Sequence, residues 1–320
     1  MIEATINKYF LLFLFITCTG NLKSLDLIPK NIIFIKNTYC TNSKIIDEVA
    51  IGKNKYVRIK FYNEKNYKNE RDKLSLFEHE NIIKIEYKND STKTIIEDLA
   101  DCSLENFLKN PKYFLDNKKI NIETVNLEKI KLKIIKNILK AIKYLHNKKQ
   151  CLHLDLKPDN ILLFIENINE QAVIRTVLSD LESCIKYDAN KNILLDTKVG
   201  ATEYLAPEII EDAVLNKPFL VDTKIDIYAL GLIILFIVHD KFASDIILTP
   251  SILKEIKNYE EEEKLFSLYA KSNQWLINFL KDNNHILNEL IINCCNKDPF
   301  KRYSIEDCIC EFDKIYKNYF

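Results

Sequence analysis

"CLHLDLKPDNILLF", residues 151–164, sets a His, two Asp, a Lys and an Asn inside eight positions between two apolar flanks. Flanks of this kind go into a core, so the polar cluster between them is held at its border, where a chemical site can be built. Its meaning depends on whether the rest of the chain supplies a fold that would use it.

On the N-terminal side, from Asn31 to Ile96, the pattern is strand-like: "NIIFIK", "IIDEVAIG", "KYVRIKFY", "IIKIEYK" (82–88) and "TKTIIED" (92–98), with short polar breaks. In "YVRIKFY" the alternation puts Val57, Ile59 and Phe61 on one face and Tyr56, Arg58, Lys60 and Tyr62 on the other. A helix is expected around residues 64–78, where Tyr67, Glu70, Leu74 and Phe77 recur at helical spacing. Glu70 falls on that apolar face, where a carboxylate wants a cationic partner.

After Leu99 the pattern turns helical. Residues 125–148 place Ile130, Ile134, Ile138, Ala141, Ile142 and Leu145 in one stripe, with Asn126 as the expected N-cap. "KIDIYALGLIILFIVHD", residues 224–240, is apolar nearly all round, yet its run after Asp226 is too short to cross a bilayer, so it reads as a core helix. A strand-rich segment followed by a helical one, with the polar cluster where they would meet, predicts an α+β protein with two lobes and a cleft.

These stretches resemble the eukaryotic protein kinase family. "HLDLKPDN" is similar to its catalytic loop, with Asp155 and Asn160 five apart. "VRIK", ending at Lys60, resembles the strand carrying the phosphate-binding Lys, and Glu70 lies nine residues before "HEN" (79–81), where the helix Glu falls. "SDLE", with Asp180, resembles the metal-binding motif; "GATEYLAPE" (200–208), "DIYALG" (226–231) and "DPFKR" (298–302) resemble later signatures. The motifs keep the family's order over residues 30–317. A strand lobe over 31–98 and a helical lobe over 99–317 are implied.

The resemblance also implies chemistry. Phosphoryl transfer needs positioning and charge neutralisation more than covalent help. Lys60 would hold the α- and β-phosphates of ATP, oriented by Glu70, while Asn160 and Asp180 would hold Mg²⁺ or Mn²⁺. Asp155 would orient or accept the proton of a protein Ser or Thr hydroxyl, and Lys157, typical of kinases acting on those residues, would steady the transferring group. Thr38, Cys40, Ser43 and Ile45 stand in the nucleotide loop, and Glu97 and Leu99, at the junction of the two segments, complete the cofactor-binding set. His153 is expected to be structural, and Glu208 and Arg302 to form a buried ion pair.

The departures are as informative. Thr38, Cys40 and Ser43 replace the loop glycines, which allow close backbone approach to phosphates, so nucleotide binding is expected to be weakened. Arg58 takes a small residue's place two before Lys60, where it would either obstruct the base or swing out toward the phosphates. Glu182 replaces a Gly, Leu154 an Arg that reads a phosphorylated segment, and Ala201 a Thr beside the catalytic Asp. The stretch from Asn160 to Asp180 predicts an enlarged hairpin around "IENINEQAVIR". The competing expectation is a pseudokinase: a binding or scaffold domain with weak or no nucleotide use.

Composition narrows the partners. Forty-six basic and 46 acidic residues in a chain of 320 cancel, giving no electrostatic case for nucleic acid or an anionic membrane. The abundance of Lys, Asn and Ile reads as a bias of the source genome. Nine Cys form no CxxC pair, which disfavours zinc. "KYFLLFLFITCTG", residues 8–20, has the layout of a secretory signal peptide, with residues 1–20 removed and no membrane span left. The alternative, a hydrophobic extension packed on the domain, leaves the protein cytoplasmic.

Overall fold

The computed structural model describes residues 32–187, 193–195, 200–214, 217–247 and 274–319; the stretch read as a signal peptide lies outside them. The chain divides into two compact units, one containing residues up to Tyr67 plus Glu86–Glu97, the other Lys68–Ile85 and Asp98 onward.

The first unit is built on a five-stranded sheet. Its strands are β1 (Ile32–Cys40), β2 (Lys44–Ile51), β3 (Asn54–Phe61), β4 (Ile85–Asn89) and β5 (Thr94–Asp98), in the order β1-β2-β3-β5-β4. β2 and β3 pair antiparallel from Lys44 with Phe61 to Ile51 with Asn54. That register leaves a two-residue turn, Gly52-Lys53, in which Gly52 takes φ +63°. Hairpins this tight favour a positive φ at that position, so the one glycine of this sheet serves the turn. Val49, Tyr56 and Ile96 form a buried cluster on the sheet, with Tyr87 edge-on to Tyr56 at 5.9 Å.

Helix α1 (Glu64–Leu74) follows β3. It ends four residues before the expected boundary: Ser75 and Leu76 close a turn, their N–H groups donating to the carbonyls of Arg71 and Lys73. Tyr67, Glu70, Leu74 and Phe77 are nonetheless all buried, as their spacing predicts. The expected strand at 82–88 also begins later, at Ile85. Ile82 and Ile83 bridge instead to the end of a later strand, with Ile83 N–H donating to Leu178 O (2.9 Å) and Leu178 N–H to Asn81 O (2.9 Å).

The second unit continues with β6 (Cys102–Ser103), α2 (Leu104–Lys109), α3 (Pro111–Asn117) and α4 (Leu127–Lys143). Asn126 caps α4, its side chain accepting from Lys129 N–H, and the expected apolar stripe is buried from Ile130 to Leu145. The chain then runs through β7 (Cys151–Leu152), β8 (Ile161–Ile168), β9 (Gln171–Leu178), β10 (Ile185–Lys186) and β11 (Ile193–Leu195). β8 and β9 are the enlarged hairpin. Asn169 and Glu170 turn it with φ values of +53° and +64°.

The remaining elements are α5 (Pro207–Val214), β12 (Phe219–Val221), α6 (Thr223–His239), α7 (Ala243–Ile247), α8 (Gln274–Asp282), α9 (Asn288–Cys294) and α10 (Ile305–Tyr316). α6 is buried from Ile225 to Ile237, so its apolar circumference serves a core. No helix among the described residues is long and apolar enough to cross a membrane. Arg302, fully buried, donates from Nη1 and Nη2 to the Glu208 carboxylate at 2.7 and 2.9 Å, so the expected pair is present.

Candidate active site

The loop between β7 and β8 is held by one carboxylate beneath it. Asp226, buried near the start of α6, accepts from His153 N–H (2.8 Å), Leu154 N–H (2.9 Å) and His146 Nε2 (2.8 Å). Burial pushes the Asp226 carboxyl up, but the hydrogen bond and charge of His146, with His153 beside them, overcome this and hold it below its ordinary value. Leu154, where the resemblance expects Arg, is buried with φ +67°. A leucine in the left-handed region carries strain, which the two bonds to Asp226 sustain.

His153 ties the loop to the strand that precedes Asp180. Its Nε2 donates to Ser179 O (3.2 Å) and its Nδ1 accepts from Asp155 N–H (3.3 Å). The Nδ1 bond requires the neutral ring with its proton on Nε2, and burial lowers the pKa accordingly. Ser179 returns the link, donating from N–H (2.8 Å) and Oγ (3.0 Å) to Asn160 O.

This scaffold fixes Asp155. Lys157 Nζ (2.7 Å) and Asn160 Nδ2 (3.0 Å) donate to its Oδ2, and Ala201 N–H (3.0 Å) donates to Oδ1. Asn160 Nδ2 also donates to Asp155 O (2.8 Å). A carboxylate has about four acceptor positions, so three donors among the described residues leave one, on Oδ1. Ala201 therefore contributes through its backbone what the expected Thr would supply through a side chain. Its approach depends on Gly200, at φ +97°, where an added Cβ would lie 2.4 Å from Leu154 O.

Asn160, with its amide nitrogen committed to Asp155, has Oδ1 oriented away from that bond. Asp180 is exposed and left-handed at φ +56°, and precedes a single helical turn, Leu181–Ser183. Glu182, in place of the expected Gly, needs no positive φ here; its carbonyl accepts from Lys73 Nζ. Among the described residues no three His, Cys, Asp or Glu converge on a metal position. A cation held by Asp180 and Asn160 would take its other ligands from phosphate and water, the usual situation for Mg²⁺.

The first unit carries Thr38, Cys40, Ser43, Ile45, Lys60 and Glu97, and the second carries Glu70 and Leu99. Thr38 and Cys40 lie in strand β1, Ile45 and Lys60 are paired across β2 and β3, and Glu97 sits near the end of β5. The turn between β1 and β2 is closed on itself. Thr41 Oγ1 accepts from Ser43 N–H (3.1 Å) and Lys44 N–H (3.0 Å), and Thr41 N–H donates to Lys44 O (2.9 Å). Backbone donors that could cradle a phosphate are thus spent inside the turn, beyond the loss of glycines expected above. The signal for this was Thr41, three residues before Lys44 in a short polar break, a spacing that suits a hydroxyl-capped turn. Arg58 does not swing outward: its Nε and Nη2 donate to Asp47 Oδ2 at 3.1 and 2.5 Å.

Comparison with known proteins agrees with this geometry. Residues 35–312 match the protein kinase domain family. The chain is similar to the serine/threonine-protein kinase ELM1 of Saccharomyces cerevisiae, 30% identical over 205 residues, covering 60% of this chain and 28% of the relative. It is also similar to serine/threonine-protein kinase 33 of Bos taurus, 28% identical over 208 residues, 63% of this chain and 36% of the relative. Serine/threonine-protein kinase ppk34 of Schizosaccharomyces pombe is 25% identical over 245 residues, 75% and 58% of the two chains. The match thus spans less than two thirds of each of these relatives. With the family match covering most of its length and the motifs in order, the chain belongs to the protein kinase family.

Proposed function

We propose that this chain is a serine/threonine protein kinase that transfers the γ-phosphate of ATP to protein Ser and Thr hydroxyls with Mg²⁺ or Mn²⁺. The observation that carries this reading is the Asp155 carboxylate, which three donors among the described residues hold with one acceptor position left on Oδ1. That position suits an acceptor hydroxyl: Asp155 orients the O–H and takes its proton as the oxygen bonds to phosphorus. Lys157, ion-paired to Oδ2, adds positive charge beside the reacting oxygens and steadies the transferring group.

The donor set fits a hard cation, because Asp180 and the Oδ1 of Asn160 are oxygen ligands. When bound, the cation neutralises charge on the β- and γ-phosphates. Lys60 supplies a further cation for the α- and β-phosphates, with Ile45 opposite it across the sheet and Thr38, Cys40 and Ser43 bounding the phosphate end. Glu70, a buried carboxylate on α1, is assigned to orienting Lys60.

A second reading, a binding or scaffold domain with little nucleotide use, is favoured by the closed turn at Thr41 and by the Asp47–Arg58 pair. The two readings part on product. The full chain, given labelled ATP, Mg²⁺ or Mn²⁺ and a mixed basic protein, should yield phosphoserine or phosphothreonine on acid hydrolysis. Phosphotyrosine alone, or no phosphoamino acid from folded protein, contradicts the proposal.

A further inference from the structure

The Asp47–Arg58 pair lies on the same sheet face as Lys60. Across β2 and β3, Ile45 is opposite Lys60, Asp47 opposite Arg58, and Val49 opposite Tyr56. Opposed residues share a face and side chains alternate along a strand, so these six line one face in three successive levels. At the far level Val49 and Tyr56 are buried with Ile96 in an apolar cluster. The near level carries the Lys60 ammonium and adjoins the Thr41–Lys44 turn. The ion pair fills the level between them, its Arg58 and Asp47 side chains 19% and 5% exposed.

This ordering has a consequence for a bound nucleotide, and it rests on the function proposed above. With phosphates at Lys60 and the turn, the base must lie away from the turn, on the next level of the same face, about 7 Å further along the strands. That level is the ion pair. Arg58 cannot leave it for the phosphates without stranding Asp47, a buried carboxylate, without its cation. A level occupied by the ion pair excludes every base alike and so does not distinguish one from another.

We propose that the Asp47–Arg58 pair is a specificity-determining element that fills the shelf for the base and leaves nucleotide recognition to the phosphates. ATP, GTP and inorganic tripolyphosphate then bind the wild-type chain with similar, weak affinity. Removing both charges together opens the shelf without stranding either ion.

Calorimetric titration of the full chain and of the Asp47→Ala/Arg58→Ala double variant with each of the three, in Mg²⁺, tests this. In wild type the three Kd values should agree within about threefold. In the double variant ATP should tighten by about tenfold or more while tripolyphosphate stays unchanged. Wild-type protein that already prefers ATP to tripolyphosphate by about tenfold overturns the proposal, whether or not the double variant folds. So does a folded variant that binds ATP no better, or one that binds none of the three. The readout is separate from turnover. A variant that gains ATP affinity, with no phosphate transfer by either chain, upholds this inference and removes the kinase reading, whereas wild-type transfer with no affinity gain in the variant removes this inference alone.

Discussion

Among the described residues Asp155 keeps one acceptor position, its other three being taken by Lys157, Asn160 and the backbone of Ala201. The last donor depends on Gly200 approaching Leu154 O closely, so Gly200→Ala should destabilise the loop by about 1–3 kcal/mol and lower kcat, checked by urea melts beside transfer assays. The neighbouring His153 makes a pH prediction. Burial lowers its folded-state value below the 6.5 of the free residue, so between the two values the unfolded chain binds the extra proton. Its contribution is whole above about pH 6.5 and is lost as pH falls through the folded value. Denaturant melts across that range should slope downward toward acid, and His153→Gln should flatten the slope. Asp226 acts with the same sign in a lower window, present above the ordinary aspartate value and lost as pH falls through its depressed one. The residue types of this loop were legible in the sequence. The backbone donor at Ala201 was not, because a missing hydroxyl reads as a lost contact until the main chain is seen to replace it.

Among the elements, the β1–β2 turn and the helices around Arg302 make opposite points. Thr38, Cys40 and Ser43 in place of glycines were visible in the sequence, but the closure of the turn through Thr41 Oγ1 is a conformation, and residue identity alone leaves it open. Thr41→Gly removes the internal acceptor and frees the Ser43 and Lys44 N–H groups. Tripolyphosphate affinity should then rise by about 1 kcal/mol, read by calorimetry. The Glu208–Arg302 pair, by contrast, was legible beforehand as what the family resemblance of "APE" and "DPFKR" implies. Glu208→Ala strands the buried Arg302, so a loss of about 3–5 kcal/mol is expected in urea unfolding. α1 shows where periodicity misleads: Phe77 keeps the helical spacing and is buried, yet the helix has ended at Leu74. An apolar side chain can meet the core from a turn as readily as from a helix.

For the whole molecule, the order of its motifs along the chain carried most of the fold. Each motif is short, but their sequence from "VRIK" to "DPFKR" matches one architecture, and the family match over residues 35–312 agrees with it. Cancelled charge points the same way, since a chain without a net field selects partners at a site. What the sequence left undecided was how a chain with Arg58 and no loop glycines would treat a nucleotide, because the answer lies in which hydrogen bonds the turn and β3 keep for themselves. The central claim is that Asp155 turns this scaffold into a phosphotransfer site despite those changes. It is tested most directly by transfer of labelled γ-phosphate to a mixed basic protein by the full chain beside Asp155→Ala. Transfer by wild type that falls by about 10²-fold or more in the variant is the predicted result. Equal incorporation in both, or none in folded wild-type protein, would contradict it.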